Sequence, residues 1–416
     1  MNSHAIVPIE TWAYSGLDLA MRGMTVDVGH LAEALIYYDR VSLNVSNQAQ
    51  FADVLSWFVD QGEFETLLSL VTDGTLNVYE YSFLTAPIQR EDDGPLILMN
   101  MQEEGQVQAN SFEMRFLYHQ KVDAVIADKK KRRRLYQAFR GRVTEVKAEA
   151  FAESIEVART DFADGRRSAL VMQAFIDNLY RTKNLGRPPQ VVCKVVSTPE
   201  GHHQTTYNLD FKEIEKLVGR NLWHRASPIT GNAMSCRFLQ SASDLGCDLF
   251  LPQPMSVLVG DKLFESARAC NKPGSIIESL EASVEFPDVR ALVNEGRISI
   301  KEVLYLRGKS KRFRDWLQSE ASRDRDALIA YHHEVARDSG YQTAGRKTLG
   351  MFGFLAGPAV GAAIGAGLGP AGAAVGAAVG GALTWATDIG MRMENWKPVM
   401  FGNWYRTKIE ELDAGG

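Results

Sequence analysis

Residues 348–387 run for 40 positions without one Asp, Glu, Lys or Arg, in a chain that is 23% charged overall. Within that run Gly353, Gly357, Gly361, Gly365 and Gly369 recur every four residues, and Gly372, Gly376 and Gly380 repeat the spacing. At about 100° per residue, each row forms one slowly drifting stripe along a helix. In water such a stripe is poor, because each glycine costs about 0.8–1.0 kcal/mol against alanine in a helix interior. In lipid the backbone hydrogen bonds meet no competing water, and small faces at this spacing let two helices pack closely. The pattern therefore predicts a pair of helices that pack through their glycines.

A spanning helix needs about 20 residues. A break at Gly369-Pro370 divides the run into residues 349–368 and 371–387, 20 and 17 residues long. That division makes a hairpin with both ends on one membrane face. Arg346 and Lys347 precede it, and Arg392, Lys397, Arg406 and Lys408 follow, which places both ends on the cytoplasmic side. Trp385, Trp396 and Trp404 lie close to the same boundary, where amphipathic rings favour the membrane–water interface. The apolar content is modest. Seven Leu, Ile, Phe or Val residues in the first half contribute about −2 to −4 kcal/mol, and three in the second about −1 to −2 kcal/mol. Insertion is therefore expected to be conditional and coupled to self-association, with membrane lipid and further copies of the chain as partners.

This segment resembles the glycine-zipper two-span segments of small bacterial membrane proteins and, more loosely, the hydrophobic hairpins of pore-forming toxins. The resemblance covers about 45 of 416 residues. It implies membrane association and self-packing, and it implies nothing about residues 1–340.

Those residues read as α+β, predominantly helical, with small antiparallel β elements. Residues 1–110 form an expected mixed domain. Helical spacing occurs over 28–38, 48–60 and 63–71, and strand alternation over 41–45 and 75–84. The turn at 91–95 suggests that 75–84 and 96–101 pair as a hairpin. Residues 111–340 form an expected second, mainly helical domain, interrupted by a hairpin of 191–197 and 205–210 about Pro199-Glu200-Gly201. Ser299 and Glu302 have capping-box spacing and predict a helix through Leu317. The glycine-zipper hairpin occupies 345–391, and a basic, aromatic tail 392–416.

Six consecutive cations, Lys129, Lys130, Lys131, Arg132, Arg133 and Arg134, wrap a predicted helix on all sides. The simplest reading is a solvated helix end paired to acids elsewhere; anionic lipid or nucleic acid are the functional alternatives. No aromatic residues interleave with the six, so nucleic acid is not the expected partner. A second basic run spans 307–314, beside Phe313 and Trp316. It reads first as the charged exterior of a core-facing helix, and second as a basic, aromatic helix at a membrane surface.

The remaining chemistry is sparse. Net charge −5 excludes a globally basic nucleic-acid binder. Four cysteines, none in a CxxC pair, suggest neither zinc nor a redox site. His332 and His333 are adjacent and point about 100° apart, so they cannot share a metal as an i, i+4 pair would. His202 and His203 read as a polar turn. No GxSxG, Walker loop or GxGxxG after a strand is present, so no catalytic residues, cofactor or metal are assigned. No basic segment followed by an apolar core opens the chain, so a cytoplasmic start with inner-membrane association is expected. The leading expectation is a membrane-active effector in bacterial defence or toxicity, its hairpin controlled by the N-terminal region through an unknown trigger. The alternatives are a membrane-anchored or self-assembling scaffold without pore activity, and a soluble enzyme or nucleic-acid binder with a buried hairpin.

Overall fold

A computed structural model describes residues 4–11, 16–45, 48–80, 84–85, 88–90, 96–98, 102–103, 116–117, 119–145, 163–197, 203–219, 238, 245, 247–251, 281–284, 289–311, 314 and 347–352. Its helices are α1 (Leu17–Met21), α2 (Val28–Tyr37), α3 (Gln48–Val59), α4 (Phe64–Thr72) and α5 (Gln120–Val125), followed by α6 (Lys129–Phe139), α7 (Gly165–Lys183), α8 (Phe211–Val218), α9 (Val289–Asn294) and α10 (Ile300–Lys309). The strands of the principal sheet are β1 (His4–Pro8), β2 (Arg40–Val45), β3 (Leu76–Glu80), β8 (Val143–Glu145), β11 (Asp248–Leu251), β12 (Glu281–Val284) and β13 (Lys347–Phe352). Smaller pairings use β4 (Leu84–Thr85), β5 (Ile88–Arg90), β6 (Leu96–Leu98), β7 (Gln102–Glu103), β9 (Cys193–Ser197) and β10 (His203–Tyr207).

The principal sheet has the order β12-β13-β11-β1-β2-β3-β8. Its five strands from β11 to β8 are parallel, and β13 runs antiparallel to both β11 and β12. The mixture of helices and strands agrees with the sequence reading, and helices hold more of the described residues than strands do. The parallel sheet differs from the small antiparallel elements expected. Parallel neighbours need a crossover, and here helices supply it: α2 lies between β1 and β2, and α3 and α4 between β2 and β3. Among the described residues, 76–80 and 96–98 do not pair as a hairpin. The first of these segments enters the sheet as β3, between β2 and β8, while Leu96–Leu98 pairs with β5 and β10. The alternating Leu76, Asn77, Val78 and Tyr79 look half-exposed in sequence, yet all four are buried.

Several local expectations coincide with the structure. Helices α2, α3 and α4 and strand β2 fall within a residue or two of their sequence positions. The β9–β10 hairpin pairs Cys193 with Tyr207 through Ser197 with His203. Ser299 and Glu302 cap α10 reciprocally: Ser299 Oγ accepts from Glu302 N at 3.4 Å, and Glu302 Oε2 accepts from Ser299 N at 2.8 Å. That helix ends at Lys309, short of the expected Leu317. Strand β8 lies within the region after residue 111 that was expected to be mainly helical up to the hairpin at 191.

The main core draws on both sides of residue 110, from Ala5 to Leu306, and gathers α2, α3, α4, α6, α9 and α10 against one face of the sheet. All ten residues of α2 are buried. A helix enclosed on every side must be apolar nearly all round, and VGHLAEALIY is. A second cluster packs Met172, Phe175, Ile176 and Leu179 of α7 against Leu17, Val191, Tyr207, Ile214 and Val218.

At the far end of the described chain, Lys347–Phe352 is a strand. Its backbone pairs Leu249 with Phe352 on one side and Val284 with Lys347 on the other. Residues 349–352 were expected to open the first hairpin helix, so the helical reading fails at these four positions. A short, uncharged, apolar run is compatible with either a buried strand or a helix, and here two flanking strands take it into the sheet. Among the described residues, no helix is long and apolar enough to cross a membrane.

Candidate functional site

Helix α6 carries the first basic run, and it sorts the six cations into distinct environments. Asp128 begins the helix, its Oδ1 accepting from Lys130 N at 2.7 Å and from Lys131 N at 3.4 Å. Leu135, Tyr136 and Phe139 face the core, and Arg132 shares their side of the helix. Arg132 is only 6% exposed; its guanidinium donates to Ile126 O at 3.0 Å and pairs with Asp123. Arg134 forms a two-pronged bond to Glu65 on α4, at 3.1 and 3.0 Å. Lys131 Nζ lies 5.3 Å from the centre of the Phe64 ring.

The other three, Lys129, Lys130 and Arg133, are exposed, as is Arg140 at the end of the helix. No acidic partner is found for these four side chains among the described residues. The position of Lys129 and Lys130 conflicts with local electrostatics. The first turn of a helix carries positive partial charge, so each cation there costs about 0.3–1 kcal/mol where an acid would gain it. Lys129 and Arg133 at i, i+4 repel by roughly a further 0.2–0.5 kcal/mol. The six occupy all sides of the helix, as expected, but in unlike environments: one cation is buried, two are engaged with α4, and three are exposed with no acidic partner among the described residues.

The second basic run folds inward. Arg307 reaches the C-terminal end of α2, where its guanidinium donates to the carbonyls of Leu35, Tyr38 and Asp39, the last two at 2.5 and 2.9 Å. Arg314 bonds Asp39 Oδ1 at 2.8 Å and Ile36 O at 3.2 Å, and Ser310 Oγ donates to Ile36 O at 2.7 Å. The last carbonyls of a helix lack intrahelical partners, and two arginines satisfy them here. Burial, and then the neighbouring Arg314, pushes the Arg307 guanidinium down to about 10, so it remains charged at neutral pH. Asp39, an isolated acid in the sequence, is thereby the anchor for Arg314, and Asp210 is the cap of α8.

The opposite end of α2 holds a buried ionic cluster that the sequence reading missed. Asp27 Oδ1 accepts from His30 N at 2.9 Å and Asn294 Nδ2 at 2.8 Å, while its Oδ2 accepts from Arg290 Nε at 2.5 Å. Burial alone would raise this carboxyl, but Arg290, His30 and the hydrogen bonds outweigh it and hold Asp27 below its ordinary range. Glu33 Oε1 accepts from Arg290 N at 3.0 Å, and His30 Nε2 bonds Phe250 O of β11 at 3.0 Å. Gly29 lets α9 come close, because a Cβ there would lie 2.1 Å from Arg290 O. With both carboxylate oxygens bonded and Arg290 Nη2 also 2.5 Å from Oδ2, Asp27 is an interhelix joint. The available signal was polar residues at three-residue spacing, 27, 30 and 33, in an otherwise apolar helix.

Cys193 is half-buried and its thiol is pushed up to about 11 by burial, so it is not a thiolate nucleophile at neutral pH. His203 meets Ser197 Oγ through Nδ1 at 2.9 Å across the hairpin, and His202, His332 and His333 lie outside the described residues. Among the described residues, no three His, Cys, Asp or Glu side chains converge as metal ligands.

Of the expected membrane-interface residues, Lys347 is in β13, opposite Val284. Arg346, Trp385, Arg392, Trp396 and Trp404 lie outside the described residues. So do all eight packing glycines, from Gly353 to Gly380. No family model matches the chain, and no curated protein or solved structure matches it.

Proposed function

We propose that this chain is a membrane-active effector: an α/β body joined to a glycine-zipper hairpin that inserts into the inner membrane, self-associates and breaches it. The observation that carries this reading is the uncharged run of 40 residues with its two phased glycine rows. Strand β13 adds a physical condition. With residues 347–352 paired in the sheet, only residues 353–368, sixteen in all, precede the Gly369-Pro370 break. Sixteen residues fall short of the roughly 20 that span a bilayer. Insertion of a full first helix therefore requires β13 to leave its place between β11 and β12. Control by the body is then a competition between strand pairing and bilayer insertion, and the trigger is whatever loosens the strand. Killing or halting the host cell is the biological role this layout suits.

The test is fractionation of the full-length chain in expressing cells, with membrane potential recorded alongside. Pelleting with membranes, depolarisation, and loss of depolarisation in Gly361→Leu/Gly365→Leu are the expected results. Pelleting with an intact potential would make the hairpin an anchor and the chain a scaffold. Unchanged depolarisation in the double variant would sink the zipper mechanism.

A further inference from the structure

We infer that the exposed face of α6 is an electrostatic docking surface for an anionic phospholipid bilayer, formed by Lys129, Lys130, Arg133 and Arg140. This rests on the reading of the chain as membrane-active and assigns part of the body a contact of its own.

The four side chains fall within one sector of about 100° on the helix, and from Lys129 to Arg140 they extend over roughly 16 Å. All four are exposed, on a helix whose opposite side is held in the core by Leu135, Tyr136 and Phe139. The ridge is therefore rigidly mounted. Structural duties account for the other cations of the run: Arg132 binds Ile126 O, Arg134 binds Glu65 and Lys131 lies over Phe64. Among the described residues no such duty accounts for the exposed four; Lys129 and Lys130 oppose the dipole of the helix, and Lys129 and Arg133 repel one another. An anionic surface removes that conflict.

The character of the face selects the partner. Gln137 is the uncharged side chain in the same sector, so the ridge offers no apolar wedge for insertion and no aromatic plane for stacking on bases. A short row of cations without either device suits laterally mobile headgroup phosphates. Its attraction to them is purely electrostatic and is screened by salt. Docking through α6 would concentrate the body at an anionic leaflet before any hairpin inserts.

The experiment uses the full-length chain with two vesicle populations, phosphatidylcholine alone and phosphatidylcholine with phosphatidylglycerol, and reads binding by co-sedimentation. The wild-type chain is expected to prefer the anionic vesicles and to lose that preference as salt is raised. Lys129→Gln/Lys130→Gln/Arg133→Gln should bind anionic vesicles roughly 100-fold more weakly, at about five-fold per charge near such a surface, with neutral-vesicle binding unchanged. An unfolding midpoint no lower than that of the wild type shows that the triple variant is folded, and the salt dependence of the wild-type chain supplies an independent reading. Equal binding to both vesicle types, or a preference that survives in the triple variant, overturns the proposal. A ridge-dependent preference for duplex RNA over the anionic vesicles overturns it in favour of nucleic acid. Dye release separates the two readings. Ridge-dependent binding without release from any vesicle leaves the docking surface standing and removes the breach. Glycine-dependent release without a phosphatidylglycerol preference does the reverse.

Discussion

Two basic runs of similar appearance, 129–134 and 307–314, end in opposite situations. The first lies on α6 and leaves Lys129, Lys130 and Arg133 exposed. The second turns Arg307 and Arg314 onto the open end of α2, where they occupy the carbonyls of Leu35, Ile36, Tyr38 and Asp39. The difference is what each run meets. Arginine beside the C-terminal end of a buried helix finds carbonyls that need donors. Cations in the first turn of their own helix find backbone N–H groups that need acceptors. Charge composition does not distinguish a structural cluster from an exposed one; position against helix ends does.

Mutations on the buried side of that comparison should dominate stability. Arg290→Ala leaves Asp27 buried without its principal counter-charge, and chemical denaturation should register a loss of about 3–5 kcal/mol. Arg307→Met removes the donors of several α2 carbonyls at once. The expected loss is about 3 kcal/mol, since each unsatisfied buried group costs about 1–3 kcal/mol. A change below roughly 0.5 kcal/mol, the scale of an ordinary surface substitution, would remove the distinction between the two runs.

Within α6 the same contrast can be sharpened between positions that adjoin in sequence. Arg132→Met should cost about 1.5–3 kcal/mol for its charged hydrogen bond to Ile126 O, and thermal unfolding alongside Arg133→Met is the direct comparison. Arg133→Met should lie within about 0.5 kcal/mol of the wild type. Smaller than the Arg132 effect is that of Arg134→Ala, whose exposed pair with Glu65 should contribute no more than about 1 kcal/mol and lose even that in high salt.

A pH titration tests buried charge without mutation, and its effect accumulates across the window. His4 bonds Ser42 Oγ at 2.8 Å; burial, and then Arg40, lowers its imidazole from 6.5 to about 4. Between those values the unfolded chain binds a proton that the folded one refuses. Stability therefore falls as pH drops through the window, by up to about 1.4 kcal/mol per unit. His4→Asn should flatten that slope. Asp27, held below the 3.8 of a free carboxyl, stabilises the fold above that value, and its contribution is lost at more acidic pH still.

Local structure was legible in the sequence wherever it depended on near neighbours. The apolar spacing of α2, the capping box of α10 and the β9–β10 hairpin all come from residues a few positions apart. Partnering across long separations was not legible. DLFL at 248–251 gives no sign that it lies beside His4–Pro8, and LNVY at 76–79 gives none that both its faces are buried. In the basic run, Arg132 and Arg133 are identical as letters; only the placement of Asp123 and Ile126 separates them.

The joint at α2 has a consequence for the order of synthesis. Asn294 bonds Asp27 across 267 positions, and Arg307 meets Leu35 across 272. When α2 leaves the ribosome, the groups that satisfy its two ends have not yet been translated. A chain interrupted before residue 290 has an ionised Asp27 and open carbonyls with nothing to close them, and it invites proteolysis. Translation reaches the partners of both ends before it reaches Gly353. Both ends of α2 can therefore be closed before the glycine-rich run emerges from the ribosome.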